Sequence, residues 1–71
     1  MNNEKFLLTL TKENDRTILT ACNTKAEAIT EGEEFRKHLP MDSGTLSVIY
    51  AEIDDENKII DGKYRLYHSW L

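Results

Sequence analysis

A single cysteine, Cys22, cannot close a disulfide within the chain. That fits a reducing compartment and leaves stability to packing alone. No apolar run approaches the roughly 20 residues that a membrane-spanning helix needs. The first residues, MNNEKFLLTLTKEN, are too polar for a signal peptide, so the expected location is cytoplasmic. Basic residues are also in short supply: nine Lys and Arg against thirteen Asp and Glu give a net charge of −4. Neither half is basic, which weighs against affinity for nucleic-acid phosphates, because Lys and Arg supply most of it. The three glycines, Gly32, Gly44 and Gly62, stand apart, so no loop cradles a phosphate.

Motifs for chemistry are missing too. Cys22, His38 and His68 are scattered, without the close spacing of zinc ligands, and no metal or cofactor is expected. The acidic stretch Asp54-Asp55-Glu56 fails as a calcium loop. Position five would be Lys58, and position six would be Ile59 where glycine is required. Ser43, Ser47 and Ser69 lack a nucleophile-elbow context. Enzymatic activity is not expected.

What is present begins with one helix signal. Residues 24–39, TKAEAITEGEEFRKHL, carry Thr24 as an N-cap and Glu27 three residues on, a capping-box spacing. Acidic residues come early and Arg36, Lys37 and His38 come late, as the helix dipole favours. Glu33 and Lys37 are spaced for an i,i+4 pair. Pro40 disfavours helical geometry at Leu39, so the helix should stop near His38. Ala28, Ile29, Gly32, Phe35 and Leu39 form one apolar stripe. A glycine within that stripe suggests close approach to a sheet.

Strand signals flank the helix. After an end expected to fray over residues 1–4, residues 5–11, KFLLTLT, alternate Phe6, Leu8 and Leu10 with Leu7, Thr9 and Thr11. A polar connection, KENDR, centred on Asn14-Asp15, leads to residues 17–22, TILTAC. There Ile18, Thr20 and Cys22 oppose Thr17, Leu19 and Ala21. A turn over residues 41–44 precedes residues 45–54, TLSVIYAEID, rich in β-branched and aromatic residues. That strand is apolar on both faces, which predicts either a central position or a surface that meets a partner. Residues 58–60 resume a strand, Asp61-Gly62 reads as a turn or bulge, and residues 63–70, KYRLYHSW, form the fourth strand.

The order ββαββ predicts a single α+β domain over residues 1–71. One amphipathic helix packs on one face of a four-stranded, mainly antiparallel sheet, a two-layer arrangement. A core of this size leaves little net stability, so pairing with a second copy is a natural route to more. The expected role is a non-enzymatic protein-interaction domain, binding a partner protein or itself through the open sheet face or an edge. Lys63, Arg65, Tyr67, Ile49 and Tyr50 are the expected contact residues, on the face away from the helix. The alternative is a single-stranded nucleic-acid module, stacking bases on a basic and aromatic face of Lys63, Arg65 and Tyr67.

Overall fold

The computed structural model describes residues 3–40 and 43–70. Met1 and Asn2 of the expected frayed end, and Met41 and Asp42 of the expected turn, lie outside them. Asn3 and Glu4 do not fray: both belong to β1, Asn3–Lys12. β2 (Asp15–Cys22), α1 (Lys25–His38), β3 (Thr45–Ile53) and β4 (Arg65–Trp70) follow. The strands form one antiparallel sheet in the order β2-β1-β3-β4, with the helix on one side. The predicted two-layer ββαββ architecture is what the chain adopts.

The hairpin joining β1 to β2 is tighter than its sequence suggests. Lys12 already pairs with Asp15. Only Glu13 and Asn14 turn, both left-handed at φ 52° and 72°. Two left-handed central residues match the strand twist, as two-residue hairpins require.

α1 starts where Thr24 caps it. The Thr24 hydroxyl accepts the Glu27 amide at 3.2 Å and donates to the Glu27 carboxylate at 3.3 Å. Glu27 thus grips the cap side chain rather than the cap amide expected of a capping box. Pro40 follows the last turn, and the Leu39 amide closes on the Phe35 carbonyl. Lys37 pairs with Glu34 at 3.5 Å instead of Glu33. Glu33 is taken by the Trp70 indole, whose Nε1 donates to its carboxylate at 2.9 Å.

The helix-side core gathers Leu8, Cys22, Ala28, Leu46, Val48 and Trp70, with Phe35 partly buried at its margin. The far side of the sheet has its own buried cluster, Leu7, Ile49, Ala51 and Ile53, against which Ile18 and Ile59 pack. Each fully buried Leu or Ile contributes about 1.5–3 kcal/mol. β1 and β3 are therefore covered on both faces by the chain itself. Of the two expected explanations for the two-sided apolar β3, the central position is the one the sheet shows, and Leu7 and Ile49 are fully buried.

Two bulges set which residues face where. One interrupts β1–β2 pairing between Leu8 and Thr9, the other β3–β4 pairing between Val48 and Ile49. Each inserts one residue and reverses the alternation beyond it. In β2, Leu19 joins the helix-side core together with Cys22, while Ile18 moves to the far side. In β4, Tyr67 is the inserted residue: His68 pairs with Val48, but Leu66 pairs with Ile49. The sequence reading put each of these strands on a strict alternation, and the bulges break it.

The predicted strand at residues 58–60 shrinks to one bridge between Ile59 and Ile53. A short 3-10 turn, Ile60–Gly62, then carries left-handed Asp61 and Gly62 at φ 58° and 65°. The fourth strand begins only at Arg65.

Candidate partner-binding edge

β4 is an outer strand, and its other side pairs with no described strand. The large apolar side chains most exposed among the described residues all sit at it. Tyr64 is 49%, Leu66 58% and Tyr67 38% exposed. The bulge distributes them over two faces. Leu66 lies opposite Ile49, on the far side. Tyr64, two residues earlier, shares that side, and the Arg16 guanidinium lies 4.1 Å from its ring centroid. Arg16 comes from β2, the opposite outer strand, so the two side chains meet over the far face. On the same face Thr9 and Ser47 are buried, and their hydroxyls lie within hydrogen-bond distance of each other at 3.1 Å.

Tyr67 turns to the helix side. Its ring stands edge-on to Phe6 at 5.5 Å and to Tyr50 at 6.2 Å, and the Lys25 ammonium lies 5.5 Å from its centroid. Tyr50 packs on Phe6 at 4.6 Å, and its hydroxyl donates to Glu4 at 2.9 Å. That bond to a carboxylate raises the Tyr50 phenol above its ordinary range, because ionising the phenol breaks it. Arg65 pairs with Tyr50 and so shares the helix side.

The five expected contact residues therefore do not form one surface. Tyr50, Arg65 and Tyr67 lie together on the helix side, at the end of the sheet near the start of α1. Ile49 is fully buried on the far side, and Lys63 precedes β4, outside any strand. The expected placement on the face away from the helix is corrected for Tyr50, Arg65 and Tyr67. Of the alternative basic and aromatic face, Arg65 and Tyr67 stay together on the helix side, and Lys63 lies outside the strand. Leu66 is the most exposed of the three apolar side chains. The adjacent apolar pair Leu66-Tyr67 is the sequence signal of the break in alternation there.

Other candidate chemistry is sparse. Among the described residues no group of three His, Cys, Asp or Glu is placed to hold a metal ion. Cys22 closes β2, His38 ends α1, and His68 stands edge-on to Trp70 with centroids 4.4 Å apart. Burial pushes the Cys22 thiol up, and Glu27 and Glu31 add to the shift. A raised thiol holds its proton and is a poor nucleophile. A cleft of about 260 Å³ opens at the end of α1, beside Arg36, Leu39, Gly44, Leu46 and Trp70. A shallower groove of about 560 Å³ runs along the start of β4, past Tyr50, Tyr64, Arg65 and Tyr67. No described helix is long and apolar enough to cross a membrane. No protein-family model, no curated protein and no solved structure matches the chain.

Proposed function

We propose that this chain is a small non-enzymatic protein-interaction domain and that it binds through β4. One observation carries the reading. Leu66 and Tyr67 in β4, and Tyr64 just before it, are exposed at a strand whose outer side has no described neighbour. Unpaired edge amides and carbonyls give affinity to an added strand, and exposed apolar side chains beside them give selectivity. The reading without catalysis draws support from the titrating groups. The raised Tyr50 and the lowered Asp54 are accounted for by local hydrogen bonds, and the Cys22 thiol is deactivated.

The experiment compares the native chain with Leu66→Asp. Solution mass against concentration measures self-association, and affinity capture from the source cell measures partners. The variant should keep its fold by circular dichroism and lose the bound partner or the second copy. A folded variant that retains the same complexes would overturn the reading.

A further inference from the structure

We draw no further inference here: the strongest candidate, the groove along the start of β4, sets Lys63 and Arg65 among Glu4, Glu52 and Asp61, and nothing in the structure shows what covers it.

Discussion

Gly32 and Trp70 occupy space that no larger pair could share. A Cβ on Gly32 would lie 2.7 Å from Cζ3 and 2.9 Å from Cζ2 of the indole. The indole cannot simply swing away, since Nε1 is held by Glu33. Gly32→Ala normally stabilises a helix interior by roughly 1 kcal/mol. Here overpacking of about 1–3 kcal/mol opposes that gain. The expected outcome is a net loss near 1 kcal/mol, which lowers the melting temperature by roughly 4–8 °C. A thermal melt checks it, and a higher melting temperature would show that the indole yields.

Exposure separates the structural leucines from the proposed contact leucine. Leu8→Ala removes a fully buried side chain from the helix-side core and should cost about 2–5 kcal/mol. Much of the total stability of a domain this small is of that order. Leu66→Ala should stay within about 0.5 kcal/mol of the native chain. Denaturant unfolding measures both, and equal losses would remove Leu66 from the surface.

Arg16 and Tyr64 tie the two outer strands together across the far face. A double-mutant cycle with Arg16→Gln and Tyr64→Leu should give a coupling of about 0.5–1 kcal/mol, as for cation–π pairs at exposed sites. Zero coupling in denaturant unfolding would show that the contact adds nothing to stability.

Two groups set opposite pH signatures. Tyr50 is raised by its bond to Glu4. Its contribution to stability is complete below the unfolded phenol value of about 10 and is lost as pH climbs through the higher folded value. Asp54 is lowered because its carboxylate accepts the Lys58 amide at 3.0 Å and the Glu56 amide at 2.8 Å. Its contribution is present above the ordinary carboxyl value and is lost as pH falls through the lower folded value. Absorbance titration of the tyrosines should show one late phenol that Glu4→Gln restores to the ordinary range. Carboxyl resonances should show Asp54 titrating below the ordinary range, and Lys58→Pro should raise it by removing one amide.

Where the sequence pattern and the structure agree, a single physical signal governs both. Thr24, Glu27 and Pro40 fixed the helix ends because caps and ring constraints act locally. β1 and β3 kept their alternation because each is buried on both faces and a slip would expose Leu7 or Ile49 to the wrong side. The bulges in β2 and β4 escaped notice because neither uses glycine. Leu19 and Tyr67 can be inserted beside another apolar residue without breaking the hydrophobic pattern. The β4 shift also moves Arg65 and Tyr67 to the helix side, whereas Tyr50 is placed there by its unbulged pairing with Phe6. Charge and exposure at β4 became legible only once Tyr67 was placed.

The central seam between β1 and β3 has a kinetic consequence. Thr11 meets Thr45 and Asn3 meets Ile53, so each partner is separated by the second strand and the helix in the chain. Neither hairpin can complete its core before that distant meeting occurs. Chain closure must precede most of the energetic reward, which slows folding relative to helical bundles of equal length. A nascent chain that has emerged only as far as α1 leaves Leu7 and Leu8 without their β3 neighbours. Folding should therefore wait for β3 and then proceed in one cooperative step.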